Sequence, residues 1–185
     1  MKSATLLLEL IEMTRENLSR SEKFIELSEE KLNFKVNADK WSILECLEHL
    51  NRYGDYYLPE IKKSIQAAQK PNDNEFKSGW LGNYFAKSML PKEQLNKMQT
   101  FKSMNPIGSQ LDQSVLHEFI TQQKTLLELL EQAKGVHLTK NKTGVSISKW
   151  IKIRLGDTFR VVVYHNLRHI IQAEKAMEAA LTDVT

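Results

Sequence analysis

The stretch VVVYHNLRHIIQAE, residues 161–174, decides how the chain is read. Its apolar residues suit a helix, and it carries His165 and His169 four residues apart. On a helix, positions four apart differ by about 40° around the axis and one turn along it, so the two imidazoles project from one face. The same face holds Val162, Ala173, Ala176 and Ala180, while Glu174, Lys175 and Glu178 are expected to turn elsewhere. Small residues beside two imidazoles leave room for something between helices. Taken alone, a His-x-x-x-His pair is weak evidence, and two solvated or locally hydrogen-bonded histidines are the commoner reading.

Working outward, only 7 Gly and 4 Pro interrupt 185 residues, and apolar positions recur at three- and four-residue spacing. The expected class is all-α. A first helix is predicted over residues 4–32, with Leu7, Leu10, Ile11, Leu18, Ile25 and Leu32 as its apolar stripe. NADKWS breaks it. Ser42 followed by Glu45 reads as a capping box opening a second helix, residues 43–69, in which Pro59 allows a kink or a split. Residues 76–111 have poor periodicity and hold Trp80, Tyr84 and Phe85. So long a connection is expected to be partly helical or to pack over an opening. A third helix opens near Asp112 and stops at Gly135. The connection GVHLTKNKTGVSISKWIKIRLG has β-branched residues that suit a short extended piece, and Gly156-Asp157 is read as introducing a fourth helix, residues 158–181. Four long helices with long crossover connections predict a four-helix bundle, in one domain.

Bulk composition narrows the function. With 41% hydrophobic and 26% charged residues, the chain has enough apolar material for a sizeable core. The net charge of +3 is interleaved rather than clustered, which speaks against a nucleic-acid partner. Glu9, Glu12 and Arg15 interrupt the apolar N-terminal patch before it reaches the length of a membrane span or resembles a signal peptide. No membrane partner is expected. With one cysteine, Cys46, no intramolecular disulfide forms, in keeping with a reducing, cytoplasmic setting.

A third imidazole joins the pair in WSILECLEHLNRY, where His49 projects from the second helix beside Cys46, Tyr53 and Tyr56. Neutral imidazoles suit Zn, Ni, Co, Cu or Fe, and three of them leave positions open for water or substrate. Periodicity permits the second and last helices to bring the three together without requiring it. Other residues carry two readings each. Glu45 caps its helix or orients a ligand; Cys46 is a buried structural thiol, a soft ligand or a nucleophile. Tyr53 and Tyr56 are core residues or pocket residues that donate to a bound anion. Gln172 continues the histidine face and reaches a ligand or substrate. Arg168 is a solvated or paired surface residue, or a holder of a substrate carboxylate. The tryptophans Trp41, Trp80 and Trp150 are packing residues, with Trp80 placed nearest a ligand by its long connection. His117 and His137 lack a helical partner and stay outside the site.

Two motifs carry a family resemblance. KWSILECLEHL is similar to the Trp-Ser start and Glu-x-x-x-His-Leu pattern of the DinB-like superfamily, and YHNLRHIIQAE is similar to its His-x-x-x-His-x-x-Gln element. That superfamily comprises small four-helix-bundle metalloproteins and includes thiol-dependent transferases. The resemblance implies a three-histidine metal site at His49, His165 and His169. It implies a divalent transition metal, Zn or Ni first and Mn, Fe or Co next, acting in a hydrolase or a transferase that uses a low-molecular-weight thiol and a small-molecule substrate. A different class also fits: a metal-binding stress-response or interaction bundle without catalysis. A homodimer is the expected assembly. DNA binding, suggested only by the family's association with DNA damage, is opposed by the near-balanced charge.

Overall fold

The computed structural model describes residues 1–68, 75–91 and 100–182. Among them are six α-helices and one two-stranded sheet: α1 (Ser3–Glu22), α2 (Glu29–Asn33), α3 (Ile43–Gln66), α4 (Trp80–Met89), α5 (Ser114–Gln132), β1 (Lys142–Val145), β2 (Ser148–Arg154) and α6 (Leu155–Thr182). The four long helices form the bundle. α1 packs on α5 and α6, and α3 packs on the same two, so α1 lies diagonally across from α3 and α5 from α6. The α1-to-α3 and α5-to-α6 steps are diagonal and cannot be made by a tight turn, which is why those two connections are long.

The predicted first helix is interrupted. After α1 comes a 3-10 turn, Lys23–Glu26, and Ser28 starts a new helix by accepting from the Lys31 N–H. Ile25 consequently points outward at 39% exposure, while Leu32 reaches the core through α2. The capping box is present as expected: Glu45 N–H donates to Ser42 Oγ (3.1 Å) and Ser42 N–H to Glu45 Oε2 (3.0 Å), a motif whose first half contributes about 1 kcal/mol. α3 runs unbroken through Pro59 to Gln66; the expected end at Gln69 lies outside the described residues. At the start of α5 the N-cap is Gln113, without a side-chain cap, and not Asp112 as expected; the Asp112 carboxylate instead accepts from the Ser114 N–H at 2.8 Å in the turn before it.

Two elements come from the connections. Residues 76–91 contribute α4, which packs on α6, and the β-branched stretch forms an antiparallel β1–β2 hairpin with a register shift between Gly144 and Val145. Gly156 and Asp157 do not precede the last helix; they are inside it. β2 leads directly into α6, and the first amides of α6 donate to the carbonyls of Asn141 and Leu138. Gly156 serves packing, since a Cβ there would lie 2.4 Å from the Phe76 ring.

The interior divides into two main apolar clusters. One gathers Leu6, Leu10, Tyr57, Leu126, Leu155 and Phe159; the other gathers Phe24, Leu44, Leu47, Leu116, Phe119 and Ile170. Each fully buried side chain of this size contributes about 1.5–3 kcal/mol relative to exposure. A third, smaller cluster (Ala86, Val145, Ile153, Val161) joins α4, the hairpin and α6. Trp80 and Trp150, expected to pack, are 85% and 94% exposed. None of the described helices is long and apolar enough to cross a membrane.

Candidate metal centre

α3 and α6 run antiparallel: His49 meets His165 and His169, while Tyr57, two turns further along α3, shares a core with Leu155 and Phe159 near the start of α6. This crossing brings the three imidazoles together. Their ring centroids lie 4.5–5.0 Å apart, and one donor nitrogen from each falls within 4.8 Å of the others. Nε2 of His49 and Nε2 of His165 are 3.2 Å apart. Two imidazole nitrogens at about 2.0–2.1 Å from one tetrahedral ion stand roughly 3.4 Å apart, so this pair already has the spacing of a shared ligand set.

The outward nitrogens explain the inward ones. His49 Nδ1 lies 2.7 Å from the carbonyl oxygen of Met104, and His169 Nδ1 lies 3.0 Å from Gln172 Oε1. Both oxygens are acceptors, so Nδ1–H donates in each ring and the lone pair is left on Nε2, facing the cluster. Holding a ring by its far N–H is how metal-binding histidines are oriented. Burial keeps the rings neutral. It lowers His49 to about 4, aided by the charge of Arg52 and opposed by the Met104 carbonyl. Burial also drives His165 and His169 well below the usual range, with the neighbouring imidazoles and Arg168 adding to it. Neutral rings bind a cation without first losing a proton. The donor set therefore fits a metal-binding site.

Around the trio is a cavity of about 1440 Å³. Trp41 forms one wall, stacked on His169 with centroids 5.6 Å apart and tilted against His49 at 4.8 Å. Tyr53 meets His49 and His165 edge to face, at 5.0 and 4.8 Å, and burial raises its phenol. Gln172 and Arg168 line the cavity as well. Arg168 is 5% exposed, not a surface residue. Lys175, expected to turn away, is also on the cavity wall. Tyr56 is placed elsewhere, its hydroxyl against Gly144 and its ring at right angles to that of Tyr57. Tyr57 lines the cavity instead and holds the hairpin tip, with its hydroxyl 3.3 Å from Ser146 N and Oγ.

Glu45 does not touch a histidine. Besides capping, its Oε1 accepts from Lys35 Nζ (3.0 Å) and from the Gly108 N–H (2.8 Å), which ties residues 105–108 to α3. Cys46 is buried away from the cavity, and burial pushes its thiol up, beyond use as a nucleophile near neutral pH. His117 is exposed, and His137 is buried in the connection before β1, where its Nδ1 faces the amides of Thr139 and Lys140. Of the residues near the trio, Trp41, Tyr57 and the Met104 carbonyl were not identified from sequence. Trp41 is adjacent to the capping box, a position that brings it to the mouth of the site. The carbonyl leaves no trace in residue type.

A family model described as the DinB superfamily matches residues 11–173 of the chain, a span that contains all three histidines. No curated protein and no solved structure matches it.

Proposed function

The chain belongs to the DinB superfamily, and on that premise we propose that it is a divalent-metal enzyme, a hydrolase or a transferase using a low-molecular-weight thiol. His49, His165 and His169 hold the ion, Zn or Ni first and Mn, Fe or Co next. The observation that carries the reading is the convergence of three neutral imidazoles, two with tautomers set from behind, on a cavity large enough for a substrate. When bound, a divalent ion supplies Lewis acidity and lowers the pKa of a coordinated water or thiol toward neutrality.

The chain's own groups do the rest. Met104 and Gln172 keep the ring lone pairs aimed inward, and Trp41 excludes water from one side. Tyr53, protonated at neutral pH, is a donor for negative charge developing on the substrate. Gln172 gives its carbonyl oxygen to His169 and keeps its amide N–H groups for the substrate. Any thiol comes from solution, because Cys46 is sealed in the core. The substrate is a small molecule and the assembly a homodimer.

The test is to prepare the untagged protein and His169→Ala, load each with Zn, Ni or Mn, and assay thiol transfer and ester and amide hydrolysis. Turnover that needs both metal and His169 supports the enzyme. Stoichiometric metal with no turnover across the panel supports a non-catalytic metal-binding bundle instead.

A further inference from the structure

The histidines sit in the middle of their cavity, and its two ends differ. Along α3, His49, Tyr53 and Tyr57 follow one another at single turns, so Tyr57 stands about 12 Å along the helix from His49. On α6, Val161 lies two turns before His169 in the same direction. Around Tyr57 the wall is Phe85, Met89, Val145, Ile153 and Val161, contributed by α4, the hairpin and α6. Two hydroxyls in this part are already engaged: Ser88 Oγ donates to the Phe85 carbonyl at 2.7 Å, and Ser146 pairs with Tyr57. Toward the opposite end the charged lining residues are Lys40, Lys175 and Asp39, set beside Val36, Trp41 and Ala176, and Arg168 lies level with the histidines; the described lining thus carries three cations against one acidic group.

The volume adds a constraint. About 1440 Å³ exceeds the roughly 300–1,000 Å³ of a site for a drug-sized ligand. A water molecule, or a small thiol with a small electrophile, would leave the apolar end unfilled. We propose that the substrate is an amphipathic anion: its extended apolar body fills the chamber between α4, the hairpin and Val161, and its anionic head lies at the histidines and the cationic end beyond them. The chamber then selects the substrate, and the summed positive charge at the other end selects the head. Calling this ligand the substrate rests on the trio being the reacting end.

The probes are octanoate, decanoate and dodecanoate, with decylammonium as the opposite charge, titrated into the full chain with and without Zn. Each added methylene should tighten binding roughly fourfold, and decanoate should bind more tightly than decylammonium. Ser88→Trp fills the chamber from a half-buried position and Val161→Phe fills it from the opposite wall; either, folded by circular dichroism, should flatten the chain-length dependence. His169→Ala should lose the metal and keep that dependence. Affinity independent of chain length, no preference for the carboxylate, or no effect of either filling variant overturns the proposal. If the protein takes up no metal while chain length still governs affinity, the metal reading fails and the binding chamber stands.

Discussion

Two polar clusters are built on the same helix, three turns apart, and they differ in how their bonding capacity is used. At the start of α6, the Asp157 carboxylate, 0% exposed, accepts from Ser78 Oγ, from the Gly79 N–H at 2.8 Å and from Arg160 Nη1 at 3.1 Å. Gly82 lets α4 come close, since a Cβ there would lie 2.5 Å from Asp157. Both carboxylate oxygens are engaged, and the result is a clamp that fixes α4 on α6. At the histidines, Nδ1 of His169 is engaged by Gln172, and Nε2 of His49 and Nε2 of His165 face each other at 3.2 Å with no fixed cationic donor between them. Asp157 is fully buried, His49 and His169 nearly so, and His165 partly. What separates a structural cluster from a ligand site is the direction in which unmatched lone pairs point.

Substitutions sharpen this contrast. The largest effect is expected from His169→Ala, which should abolish stoichiometric metal, a loss greater than the about 10–100-fold that removing an orienting partner costs. Its far-ultraviolet spectrum should stay that of wild type; retained metal at one equivalent would contradict the assignment. Asp157→Ala should do the reverse. Removing one partner of a buried ion pair costs about 3–5 kcal/mol, read as a lower midpoint in urea, with metal stoichiometry unchanged below the transition. If it released the metal, the two clusters would not be independent.

A smaller change is expected from Gln172→Ala, which frees His169 to turn: metal affinity should fall about 10–100-fold by competition with a chelator, with stability little altered. An unchanged affinity would remove Gln172 from the site. The mildest effect is a pH dependence of the metal-free protein. His49 is lowered to about 4 when folded against an ordinary value of 6.5, and the other two are lowered as well. Below 6.5 the unfolded chain therefore binds more protons than the folded one. The stability contributed by neutral rings is full above 6.5 and is lost as pH falls toward about 4. Denaturant midpoints across that window should decline with acid for wild type and less steeply for His49→Ala.

Much of this was legible because it is local or strongly periodic. The capping box depends on Ser42 and Glu45 alone, and the bundle follows from apolar spacing. His165 and His169 share a face by helix geometry, while His49 needed the family resemblance to join them. What stayed hidden depends on partners far along the chain. α4 is ten residues long with an exposed Trp80 and Tyr84, and it is held by Asp157, about 75 positions away. Gly156 looked like a boundary because glycine opens helices often; here it makes room for Phe76. Tyr56 and Tyr57 lie three and four residues past Tyr53, both within reach of one stripe, and only the crossing of α3 with α6 puts Tyr57 on the cavity. The break at Ser28 was readable in retrospect, since a serine before two glutamates is an N-cap signature.

The proposed centre requires one ion shared by three side chains from two helices. X-ray absorption on Zn- or Ni-loaded protein reports that shell directly. Three imidazole nitrogens at about 2.0–2.1 Å, with one lost in His49→Ala, is the expected result. A shell of oxygen atoms without imidazole scattering, or a spectrum that the His49 substitution leaves unchanged, would contradict it.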